Sequence, residues 1–113
     1  MNLTAKEREV MFVLWERNAP MTAAEICEAS QDKTWRETSI YSMMNSLVAK
    51  GAVIMCQLRP TNTKRVRVYK FNHTFEEYMA ENVAGTYKSS RLEKPFDIEK
   101  FVKVVKKIMK EER

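Results

Sequence analysis

Val10, Met11, Leu14 and Trp15 recur at helical spacing behind Thr4, and Glu7, three residues after that threonine, completes a capping box. A residue before proline resists the α conformation, so Asn18-Ala19-Pro20 marks the end of this predicted first helix. Thr22-Ala23-Ala24-Glu25 is a second capping box, opening a short helix to about Ala29 with Ile26 inward. Ser30 to Thr34 is polar and reads as a turn. A third helix is predicted from Arg36 or Glu37 to Lys50, stopped by Gly51, which suits the left-handed position after a helix. Its apolar stripe is Ile40, Met43, Met44, Leu47 and Val48; the opposite stripe is Thr38, Tyr41, Ser42, Asn45 and Ala49. That second stripe is rich in hydrogen-bonding groups yet uncharged, whereas solvent faces of helices ordinarily carry Lys and Glu.

Val53-Ile54-Met55-Cys56 is a short apolar run that favours strand, and Arg65-Val66-Arg67-Val68-Tyr69 alternates with the strand period. Arg59-Pro60-Thr61-Asn62-Thr63 between them is a turn, so the two runs predict a hairpin with a basic tip and second arm. Alternation alone does not decide whether the strand face carrying Tyr69 and Phe71 is the buried one. Two helices follow. Thr74 and Glu77 cap the first, with Phe75, Tyr78, Met79 and Val83 as its stripe. Asp97 caps the second, with Phe96 and Phe101 placed as a hydrophobic staple. Ile98, Phe101, Val102, Val105, Ile108 and Met109 line one face of that last helix, and Lys100, Lys103, Lys106, Lys107 and Lys110 line the rest.

The fold class expected is therefore mainly α with a small β-hairpin: a winged helix-turn-helix over residues 1–73 and C-terminal dimerisation helices over 74–113. At 113 residues, one ordinary domain with appended helices fits. With 44% hydrophobic and 31% charged residues, the chain falls in the soluble globular class. No apolar run approaches the ~18 residues of a membrane span, and the start is too polar for a signal peptide, so a cytoplasmic location and no membrane partner are expected. Cys27 and Cys56 match no metal spacing and are expected as reduced, apolar fillers; His73 is the only histidine. No Gly-rich phosphate loop, metal spacing or histidine-based triad is present, so neither an enzyme nor a cofactor is expected.

The net charge of +5 matters less than where it sits. Residues 1–49 carry five bases against seven acids, residues 73–113 nine against eight, and residues 50–72 six bases with no acid. That segment holds Lys50, Arg59, Lys64, Arg65, Arg67 and Lys70, as befits a patch meeting phosphates. In a helix-turn-helix with a wing, the third helix offers polar side chains to base edges, and the wing grips the neighbouring backbone.

Leu3-Thr4, Glu7, Val10-Met11 and Leu14-Trp15, then Thr22-Ala23-Ala24-Glu25-Ile26, together resemble the opening of the penicillinase-repressor (BlaI/MecI-like) family. Trp35, Thr38-Ser39-Ile40-Tyr41-Ser42, Leu47-Val48-Ala49-Lys50-Gly51-Ala52-Val53 and Tyr69 continue the resemblance over about residues 3–71. It implies a dimeric repressor on an inverted-repeat operator, with Thr38, Ser39, Tyr41, Ser42 and Asn45 facing the bases. Thr22, Arg36, Lys64, Arg65 and Arg67 are expected at the DNA backbone. Phe75, Tyr78, Met79, Phe96, Ile98, Phe101, Val102, Val105, Ile108 and Met109 are expected at the dimer interface. The chain departs from the family pattern in three places: Ser46 stands where the family usually has arginine, no cysteine follows Cys56, and no Asn-Phe pair occurs. The copper-responsive cysteine cluster and the Asn-Phe cleavage site are therefore not implied.

A dimer is also expected physically, since one helix reads only ~4–6 base pairs, each good contact being worth ~1–3 kcal/mol. The competing reading makes the winged helix a protein-interaction module whose hairpin meets an acidic partner. Eight methionines make adaptable surfaces, and the chemistry of any small-molecule inducer is left undefined.

Overall fold

The computed structural model describes residues 1–112. Helix α1 (Ala5–Arg17) begins at the expected box: the Glu7 amide donates to Thr4 Oγ1, and the Thr4 amide donates to Glu7. It ends at Asn18, which takes a left-handed φ of 51° and closes on the Leu14 carbonyl. A two-residue strand β1 (Met21–Thr22) precedes α2 (Ala23–Ala29), which Thr22 and Glu25 cap reciprocally. The third helix starts later than expected. A 3₁₀ turn (Glu37–Ser39) precedes α3 (Ile40–Ala49), because neither Arg36 nor Ser39 supplies a side-chain cap and a tighter turn absorbs the unpaired amides.

Gly51 ends α3 at φ 78°, its amide donating to Val48 and the Ala52 amide to Leu47, a paired closure only a left-handed residue permits. The chain then enters β2 (Val53–Pro60) and returns as β3 (Arg65–Phe71). Strand order is β1-β3-β2, antiparallel throughout, with Met21 opposite Tyr69, and Val53 opposite Phe71. The central position of β3 settles the question alternation left open. Val68 and Tyr69 are both buried, so both faces of β3 are covered at its paired root; Phe71 is only half-buried.

Val10, Met11, Leu14, Ile26, Met44 and Leu47 are shut away from solvent and form the centre of the core, which Val53 and Tyr69 join from the sheet. Two expectations fail here. Val48 is 41% exposed, because the inward stripe of α3 is the narrower Ile40, Met44, Leu47 set. Cys56 is exposed rather than a filler, because β2 leaves the core after Val53 and every later residue of the strand is exposed; a bulge at Cys56 shifts the register between Met55 and Gln57. Cys27 is half-buried, and burial pushes its thiol pKa up.

Two compact units divide the chain, Met1–Glu81 and the residues from Asn82 onward. The first reaches past residue 73 because the opening turn of α4 (Phe75–Ser90) packs on Trp15. Phe75 and Tyr78 both stand 5.3 Å from the Trp15 ring, whose Nε1 donates to the His73 carbonyl at 2.8 Å. Tyr78, expected at a dimer interface, is instead 5% exposed within this core. In the second unit, Asp97 caps α5 (Ile98–Glu111) through the Lys100 amide. Phe96 lies between Tyr87 and Phe101 at 5.6 and 5.4 Å, and Tyr87 donates to the Lys94 carbonyl. No described helix is long and apolar enough to cross a membrane.

Candidate nucleic-acid interface

Ile40, Met44 and Leu47 bury one side of α3, which obliges the other side outward. Thr38, Ser42 and Asn45 are exposed, and Tyr41 is 63% exposed despite its aromatic ring. Ser39 is half-buried and gives its carbonyl to Ser42 Oγ at 3.0 Å. The face thus carries hydroxyl and amide groups with no charge along it, and only the Ser42 hydroxyl is engaged within the chain. Such a face suits base edges, which present mixed donors and acceptors.

The hairpin stands beside it. Lys64, Arg65 and Arg67 are exposed and make no ion pair among the described residues. With Ala23, Ala24 and Tyr41 they line a cleft of about 300 Å³. Tyr41 is therefore the seam between helix face and wing, a position sequence spacing could not give. The small alanines at the start of α2 leave this cleft open. At the tip, Thr61 and Lys64 bond reciprocally: the Thr61 amide reaches the Lys64 carbonyl at 2.7 Å, and the Lys64 amide reaches Thr61 Oγ1 at 3.1 Å.

The remaining residues expected at the backbone lie outside this cleft. Arg36 is exposed before the 3₁₀ turn. Thr22 is 6% exposed, and its hydroxyl oxygen accepts from the Glu25 amide at 3.2 Å, capping α2. Arg59 approaches Glu25 at 3.4 Å, leaving it less free than its neighbours on the wing. The bonds from Thr22, then the charge of Arg59, hold the Glu25 carboxyl below its ordinary pKa. Among the described residues, no three His, Cys, Asp or Glu side chains gather to hold a metal ion.

One polar cluster was not foreseen as a unit. Glu7, beyond its capping role, accepts from Ser46 Oγ and Lys50 Nζ, both at 2.6 Å. The signal was present as Ser46 replacing the customary arginine, but pairing across 39 residues lies outside local pattern.

Three helices, a short anchoring strand and a basic antiparallel hairpin, with an exposed hydrogen-bonding helix face, define a winged helix-turn-helix module. The penicillinase repressor family profile matches residues 3–112, and the chain belongs to that family. The family is one of DNA-binding transcriptional repressors. A search of curated proteins returns no match. Among solved structures, the ferric uptake regulator from Francisella tularensis with iron is similar at a TM-score of 0.48 and 18% identity. The alignment covers 65% of this chain and 55% of that one.

Proposed function

We infer that the protein represses transcription as a homodimer bound to an inverted-repeat operator. Thr38, Tyr41, Ser42 and Asn45 read bases in the major groove, with Ser39 supporting Ser42; Lys64, Arg65, Arg67 and Arg36 hold the sugar-phosphate backbone. The observation that carries this reading is the adjacency, across Tyr41, of an uncharged bonding face and a cleft lined by unpaired cations.

The dimer contact is assigned to residues within 74–113, and there to the apolar face of the second unit. Ile98, Phe101, Val102, Ile108 and Met109 are between 37% and 64% exposed on α5, and Phe96 is exposed as well; Met79, also exposed, belongs to the first unit. Val105 is half-buried on the same face. Fully burying such a side chain stabilises by ~1.5–3 kcal/mol before entropy, so a face of this size favours pairing with a second copy. Tyr78 drops out of the set, since it is buried against Trp15, whereas Phe75 keeps an exposed edge while packing on the same ring. Two copies reading two half-sites supply the specificity one helix lacks.

The test is selection of bound duplexes from a random library, followed by salt titration of the winners. A two-fold symmetric site with steep salt dependence is expected. Binding without sequence preference would remove the base-reading role of α3. Absence of any salt-dependent duplex binding would instead favour an acidic protein partner for the hairpin.

A further inference from the structure

Glu7 and Thr22 are the two buried polar residues among those described, and duplex recognition as set out above makes no use of Glu7. Capping explains only the 2.8 Å bond from the Thr4 amide. The bonds from Ser46 and Lys50 tie the start of α1 to the closing turn of α3, and Lys50 also donates to the Asn2 carbonyl at 2.9 Å. Burial would raise the Glu7 carboxyl, but the donors Lys50, Ser46 and Thr4 outweigh it and bring the pKa down to about 2. The carboxylate is thus ionised and fully engaged.

Core packing of Ile40, Met44 and Leu47 sets the roll of α3 only to within what apolar contacts define, and the Glu7 tie adds directional bonds. The first turn of α3 has no side-chain cap, and its inner face is apolar. Apolar burial is non-directional, whereas charge-assisted hydrogen bonds are short and directional. Side-chain tips stand about 5–6 Å from a helix axis. A roll of about 10° therefore moves them by about 1 Å, enough to lose a hydrogen bond to a base edge.

We propose that Glu7 is a positioning residue for base reading, setting the roll of α3 through Ser46 and Lys50. The inference rests on the duplex-binding reading of α3. Attraction to any duplex comes from Lys64, Arg65 and Arg67 on the wing and does not depend on that roll. Glu7 therefore governs preference between sequences, not general affinity.

The test compares three variants with the unaltered chain on the selected duplex and on a scrambled one, with melting temperature measured alongside. The triple variant Glu7→Gln/Ser46→Ala/Lys50→Met removes the buried charge together with its partner, so no unpaired ion is left inside. Its preference for the selected duplex should fall by about tenfold or more, the worth of one or two base contacts. Lys50, grouped with the basic segment by its position, is neutralised by Glu7 at 2.6 Å, so scrambled-duplex affinity and salt slope should stay within about twofold. Ser46→Thr keeps the hydroxyl and should keep the preference. An unchanged preference in the triple variant, with only a lower melting temperature, overturns the proposal and leaves Glu7 a purely structural tie. If the triple variant does not fold, Ser46→Ala decides: about a threefold loss of preference is expected from one lost bond, and no loss overturns the proposal. Should the unaltered chain bind no duplex in a salt-dependent way, the underlying reading fails, and this inference fails with it.

Discussion

Replacing Lys64, Arg65 and Arg67 together with glutamine removes three exposed cations that no described carboxylate neutralises. Glutamine is shorter but unbranched and polar, and all three positions are exposed, so the strand register should survive. Each phosphate neutralised contributes about −0.9 to the slope of log affinity against log salt. Three contacts therefore supply a slope of about −2.7 per protomer, and about −5 for a bound dimer. Between 50 and 200 mM salt the logarithm changes by about 0.6, so each protomer's three contacts account for roughly 40-fold of the affinity lost over that range. Arg59→Gln is the internal comparison. Its guanidinium already lies 3.4 Å from Glu25, so its slope change should be smaller than the ~0.9 of a free contact. Fluorescence anisotropy on a labelled random duplex, titrated with salt, measures both. A triple variant whose slope stays within about 0.5 of the unaltered chain would show that the wing cations do not meet phosphates.

Asn45→Ala and Tyr41→Ala should each cost about 1–3 kcal/mol on the selected duplex and little on a scrambled one, read by the same anisotropy assay. Gly51→Ala should destabilise by about 1–2 kcal/mol through its φ of 78° alone, since an added Cβ meets no atom within 4 Å; thermal melting checks this, and an unchanged midpoint would contradict it. The Glu7 carboxyl sits at about 2 when folded against an ordinary 4.5, so its contribution is fully present above about pH 4.5 and lost as pH falls towards 2. On the order of 2–3 kcal/mol is at stake, and urea midpoints between pH 2 and 6 should fall less steeply for Glu7→Gln than for the unaltered chain. Ile108→Asp, placing a charge on the exposed face of α5, should convert a dimer to a monomer in sedimentation; an unaltered mass would move the interface elsewhere.

Local signals in the sequence located most elements, because capping boxes and terminal glycine are read within a few residues. Thr4 with Glu7, Thr22 with Glu25 and Thr74 with Glu77 all form the reciprocal bonds their spacing implies. The outward side of α3 was legible for the same reason, as periodicity reports which residues a core excludes. What escaped depends on distant partners. β1 is two residues long and exists only because β3 pairs with it. Tyr78 has the look of any amphipathic helix residue, and only the placement of Trp15 decides where it is buried. Likewise the seam at Tyr41 and the tie at Glu7 join segments that periodicity treats separately.

Beyond the Arg59 pairing to Glu25, Thr61 and Lys64 at the tip of the hairpin bond only to each other, while the root is held by Met21 and Thr22. Length at the tip is therefore free to change without disturbing the helices. Parity is not free: two residues added on each arm extend the reach and keep alternate side chains on the same side, whereas one residue turns every cation beyond it to the opposite side. Related chains can lengthen their grasp along a duplex in even steps, and odd steps need a compensating bulge like the one at Cys56.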